Sequence, residues 1–133
     1  MDFIFVDTSA WYALVDRSDL EHRAAKGFLG QLSRPLLTTD FIVDETITLV
    51  RYKLGHELAA KIGKKLWGEE IAKLLFIDRG IEQRAWELFL RYKEHKFSFT
   101  DCTSFVVMEQ LGLHEAFAFD SDLEAYGRFA TLP

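Results

Sequence analysis

Phe3-Ile4-Phe5-Val6 is a continuous apolar run, β-branched and aromatic, that stops abruptly at Asp7. A strand apolar on both faces belongs inside a parallel sheet covered by helices. Ala116-Phe117-Ala118-Phe119 has the same character and also stops at an aspartate, Asp120. Leu36-Leu37 and Leu74-Leu75-Phe76-Ile77 are further strand candidates, and a short final one lies around Ala130 to Leu132.

Between these runs the apolar spacing becomes helical. Ser18-Asp19-Leu20-Glu21 has the form of a capping box and predicts a helix carrying Ala24, Ala25, Phe28, Leu29 and Leu32, ended by Pro35. A second helix is predicted from near Asp40 to Leu54, with Gly55 beyond its end, and a third over roughly Glu57 to Trp67. A fourth runs from about Ile81 to Arg91, with Trp86, Phe89 and Leu90 apolar, and a fifth from Ser98–Asp101 to Gly112. Alternating strands and helices imply βαβ crossovers. The expectation is one α/β domain over residues 1–133, a three-layer α/β/α sandwich with a mostly parallel, Rossmann-like central sheet.

Composition narrows this further. With 133 residues, 49% of them hydrophobic, the chain can bury a core; a single cysteine offers neither an internal disulfide nor a zinc-binding pair. No apolar stretch approaches membrane-spanning length, and the first residues lack the form of a secretion signal. A soluble, cytoplasmic protein is therefore expected. Twenty-one acids against sixteen Lys and Arg give a formal charge of −5, which argues against a general nucleic-acid coat. That argument weakens if several acids gather in one metal site.

Four acids occupy suggestive positions. Ligands of open parallel sheets bind beyond the carboxyl ends of the strands, where strand order reverses, and Asp7 and Asp120 stand at such ends. Either one alone serves equally well as a cap on the helix that follows. Glu45 shares a helical-wheel sector with Phe41, Leu49 and Tyr52, whereas Asp44 falls with Thr48 and Arg51 on the solvent side. A carboxylate among apolar neighbours requires a partner or a metal; the alternative is a rim residue paired with Arg51. Asp101 shares a face with Phe105 and Met108, and also fits an ordinary capping arrangement with Ser98.

Together these four carboxylates form an oxygen-only donor set suited to Mg²⁺ or Mn²⁺. His22, His56, His95 and His114 show no metal-binding spacing, and His22 and His95 are expected in solvated positions. Cys102 is expected to be a buried, inert thiol. Leu58, Ile62, Leu66 and Trp67 repeat at helical spacing, as core or as a contact surface. Such an acidic site favours metal-dependent phosphodiester hydrolysis. Rival readings are a binding module with acids as caps, a receiver domain and an aspartyl phosphotransferase. The phosphotransferase needs an acid where Ser9 stands, and the receiver needs a late lysine, whereas none follows Lys96.

The chain resembles the PIN domain family, most closely its VapC toxin branch. The resemblance rests on Phe5-Val6-Asp7-Thr8-Ser9-Ala10-Trp11, on Asp40 through Glu45, on Phe97-Ser98-Phe99-Thr100-Asp101-Cys102 and on Ala118-Phe119-Asp120-Ser121-Asp122-Leu123. It implies a Mg²⁺- or Mn²⁺-dependent endoribonuclease, homodimeric and held inactive by a small cognate antitoxin, with a PIN-domain nuclease of RNA processing outside such a pair as the alternative. Asp7, Glu45, Asp101 and Asp120 take the family's metal-binding and catalytic roles. Asp122 either joins the metal shell or caps the last helix. Ser9 and Thr100 match small polar neighbours that orient carboxylates or metal-bound water. Metal-activated water would attack an RNA phosphate, leaving a 5′-phosphate and a 3′-hydroxyl. Two basic strips are candidates for the RNA approach: Arg51, Lys53, Lys61, Lys64 and Lys65, and Arg91, Lys93 and Lys96.

Overall fold

Residues 2–133 are described by the computed structural model. Five short strands, β1 (Ile4–Val6), β2 (Leu36–Thr39), β3 (Lys73–Leu75), β4 (Glu115–Phe117) and β5 (Ala130–Leu132), form one sheet in the order β3-β2-β1-β4-β5. Every pairing is parallel, with Ile4 opposite Leu36 and Phe5 opposite both Leu37 and Ala116. Burial follows from this order. The interior strands β1 and β2 are buried throughout, while the edges β3 and β5 are half exposed. The apolar runs that stop at aspartates are thus the sheet's centre, as their two-faced hydrophobicity requires.

Among the described residues seven helices flank the sheet: α1 (Thr8–Val15), α2 (His22–Gln31), α3 (Asp40–Leu54), α4 (His56–Trp67), α5 (Arg79–Arg91), α6 (Phe99–Leu111) and α7 (Asp122–Tyr126). The architecture is the expected three-layer α/β/α sandwich, with all strands parallel. Trp11, Phe5, Phe105, Phe117 and Leu66 are among the largest fully buried side chains. Trp11 closes its polar end by donating from Nε1 to Thr38 Oγ1 at 3.3 Å, which leaves its ring free to pack. Among the described residues no helix is long and apolar enough to cross a membrane.

Helix ends follow the sequence where a single residue decides them. Thr39 caps α3 through Ile42 N–H, and Gly55 ends it at φ +100°. Gly112 ends α6 in the left-handed region at φ +67°. The predicted capping box at Ser18 is not a helix start. Asp16 accepts from the Ser18 N–H and hydroxyl, and Asp19 accepts from the Glu21 N–H, so two successive turns use up those polar groups and α2 begins only at His22. The strand runs are also shorter than predicted, ending at Leu75 and Phe117.

Some expected faces differ as well. In α5 the buried positions are Ile81 and Ala85, while Trp86, Phe89 and Leu90 are exposed and Trp86 stacks on Phe89. In α4, Ile62 and Leu66 belong to the core, but Leu58 and Trp67 face outward. Tyr52, placed beside Glu45 on the wheel, is 86% exposed. His22 is not simply solvated: it is half-buried, with Nδ1 2.7 Å from the Ala13 carbonyl oxygen. Cys102 is buried as expected, and burial pushes its thiol up to about 11.

Candidate active site

β1 and β4 are neighbours in the sheet, yet the chain leaves β1 toward β2 and returns to β4 on the other side. Strand order therefore reverses between them. Asp7 follows β1 directly, and Asp120 lies three residues beyond β4, so the reversal carries a carboxylate on each side.

Asp7 is also the N-cap of α1: its Oδ2 accepts from Ser9 N–H at 3.3 Å and from the Ser9 hydroxyl at 2.8 Å. The same hydroxyl accepts from Phe119 N–H at 2.9 Å and, at 3.4 Å, from Asp120 N–H. Ser9 thereby joins the β1 terminus to the loop after β4. Asp7 is 4% exposed, and burial, then the charge of Asp120, pushes its carboxyl up to about 8, against the lowering by Ser9. A buried acid facing like charge holds its proton well above the ordinary carboxylate range.

Asp101 arrives from the other side. Its Oδ2 accepts from Ser98 N–H while its own N–H donates to Ser98 Oγ, both at 2.9 Å, a complete capping box at the start of α6. Burial leads the causes that push its carboxyl up to about 7, with Asp122, Asp120 and Glu45 adding to it. Glu45 is half-buried on α3, raised by burial and by Asp120, Asp44 and Asp122. Thr8 donates to its Oε1 at 2.6 Å and lowers it again.

Asp120 Oδ1 accepts from Asp122 N–H at 3.1 Å. Asp122 does not cap α7; it lies in the first turn, the N-cap Ser121 makes no side-chain bond, and the nearby Asp101 side chain lowers the Asp122 carboxyl. Burial and then Asp120 raise it. The four predicted acids and Asp122 thus feel one another's charge at one end of the sheet. The main-chain carbonyl of Thr100 accepts from the Thr103 hydroxyl at 2.6 Å. Sequence reasoning missed Thr8, whose contact with Glu45 spans 37 residues and has no local signature.

The donors fit a hard divalent cation in kind: all are carboxylate oxygens, and their mutual repulsion is what such an ion relieves. As placed, no three His, Cys, Asp or Glu side chains among the described residues form a group able to hold a metal.

VapC20 of Mycobacterium tuberculosis, a 23S rRNA-specific endonuclease, is 36% identical over 124 residues, covering 93% of this chain and 94% of that protein. Its crystal structure, described as that of a Sarcin-Ricin loop cleaving toxin, superposes with a TM-score of 0.91 at 33% identity over 98% of this chain and 99% of that one. A VapC ribonuclease of Archaeoglobus fulgidus is 31% identical over 117 residues, 81% of this chain and 71% of the relative. DNA-bound VapBC from Salmonella typhimurium, at 15% identity and a TM-score of 0.69 over 98% of this chain and 97% of that one, shares the fold. The PIN domain model matches residues 4–128, from the first strand to the turn before the last, and the chain belongs to the PIN domain family.

Proposed function

We propose that this protein is a divalent-metal-dependent endoribonuclease, the toxin of a VapBC-type pair, with Asp7, Glu45, Asp101 and Asp120 as metal-binding and catalytic acids. One observation carries the reading. Four elements distant in sequence bring carboxylates to the strand-order reversal of a parallel sheet, and burial and mutual repulsion raise three of them. Structural acids on a protein surface are spread apart or paired with cations; among the described residues none of these four has an ion pair. The relatives at 36% and 31% identity are endonucleases or ribonucleases.

Mg²⁺ or Mn²⁺, when bound, would polarise the phosphoryl oxygen and activate the attacking water. The chain's own part is positional. Ser9 holds one oxygen of Asp7 and fixes the loop bearing Asp120, leaving the other Asp7 oxygen for the ion. Thr8 favours the ionised form of Glu45, since its hydrogen bond opposes the effect of burial. Asp122 stands as an additional ligand, and Thr100, next to Asp101, orients carboxylates or metal-bound water. The RNA, cleaved to a 5′-phosphate and a 3′-hydroxyl, and a small antitoxin are the partners, with a homodimer as the working assembly.

Purified protein incubated with total RNA and with 23S rRNA, the substrate of the VapC20 relative, tests this. Cleavage should require Mg²⁺ or Mn²⁺, stop with EDTA and vanish in Asp101→Asn. Metal-independent cleavage, or full activity in that variant, defeats it.

A further inference from the structure

An acidic site on a chain of net charge −5 repels RNA, so attachment has to come from cations placed elsewhere. Such a place lies on the flank formed by α5, α6 and the segment after α7. Arg84, Arg91 and Arg128 line a polar cavity of about 250 Å³ together with Glu87, Glu109 and Tyr126. Arg84 and Arg91 are seven residues apart on α5, two turns along one face.

The acids in this cavity do not cancel its cations. Glu109 is fully engaged: Tyr126 donates to one carboxylate oxygen, and Arg128 to the other at 3.1 Å. Arg128 is further steadied over the Tyr126 ring, 5.8 Å from its centroid. Glu87 lies between Arg84 and Arg91, yet neither arginine has a carboxylate within 4.0 Å among the described residues. Two guanidinium groups are therefore free beside a third that is held in place.

We propose that Arg84, Arg91 and Arg128 form a binding site for backbone phosphate of the RNA, separate from the cleavage site. The inference rests on the nuclease reading for the identity of the ligand. A guanidinium offers a planar fork of donors matched to phosphate oxygens. Glu109 lies eight residues from Asp101 along α6, about 12 Å by helical rise. A phosphate held here belongs to a nucleotide well removed from the scissile bond, so the site engages a folded or extended RNA and leaves a very short one untouched.

The test compares a hairpin RNA with a trinucleotide, using an Arg84→Ala/Arg91→Ala double variant. Both positions are exposed on a helix, where alanine is well tolerated. Hairpin binding, measured by fluorescence anisotropy without divalent metal so that nothing is cut, should weaken about tenfold. Its salt slope should fall by about 1 for each phosphate that is no longer neutralised. Trinucleotide cleavage with Mn²⁺ should be unchanged. An Arg23→Ala/Lys26→Ala double variant on α2 removes the same charge elsewhere, at exposed positions outside both basic strips; equal weakening there would make the effect one of net charge and overturn the site, as would unchanged hairpin affinity in the arginine variant. Wild-type protein that binds the hairpin but cuts neither RNA would defeat the nuclease reading alone.

Discussion

The Thr8 hydroxyl lies 2.6 Å from Glu45 Oε1, so the first residue of α1 fixes the acid in the middle of α3. This contact lowers the Glu45 carboxyl against burial and the charge of Asp120. Thr8→Val keeps the shape and removes the donor. We expect divalent-metal affinity to fall about tenfold, in line with the removal of groups that orient metal ligands. Titration calorimetry with Mn²⁺ measures it, and an unaltered affinity would remove Thr8 from the site.

Metal should stabilise the folded chain through preferential binding. Millimolar Mn²⁺ is expected to raise the melting temperature of the wild type by several degrees, and Asp7→Asn should lose most of that rise. An equal rise in both proteins would place the ion elsewhere.

Without metal, stability should fall as pH rises. Asp7 and Asp101 have carboxyls raised from 3.8 to about 8 and about 7, so the folded state binds protons that the unfolded state has released. Their contribution is full below pH 3.8 and is lost as pH climbs through about 7 to 8. Urea midpoints across that window should decrease with pH, less steeply with Mn²⁺ present. Asp101→Asn should flatten the metal-free profile, and a slope as steep as the wild type's would contradict the assignment.

Two hydroxyls deep in the helical layers, Thr46 Oγ1 and Ser104 Oγ, have no hydrogen-bond partner among the described residues. Unsatisfied buried polar groups cost about 1–3 kcal/mol. Ser104→Ala should thus be neutral or stabilising by up to about 1 kcal/mol in chemical denaturation. By contrast Phe117→Ala, at a fully buried ring 4.7 Å from Phe28, should cost about 3–5 kcal/mol.

The sheet was legible because its central strands are apolar on both faces and end at charged residues. Asp7, Glu45, Asp101 and Asp120 were legible for the related reason that acids rarely sit beside such runs or among large apolar neighbours without purpose. What stayed hidden depends on contacts remote in sequence. Ser9 could be placed near Asp7, but its link to Phe119, 110 residues away, comes only with the sheet. The Ser18 motif misled because Asp16 and Asp19 compete for the same N–H groups, and a spacing pattern cannot rank competing acceptors. Trp86 and Phe89 misled because helical spacing shows which residues share a face, not which face the sheet covers.

Asp7, Asp101 and Asp120 each hold a backbone N–H with a carboxylate oxygen, whereas Glu45 accepts only from a side chain. Truncating any of the first three to alanine therefore disturbs a turn or a helix start along with the chemistry, and even asparagine keeps only one of the two oxygens to serve the N–H. Glu45→Gln keeps an oxygen for Thr8 and leaves every main-chain bond alone. It is the substitution of choice for a harmless version of this protein that still folds, can be produced in quantity and can be captured with an uncut RNA.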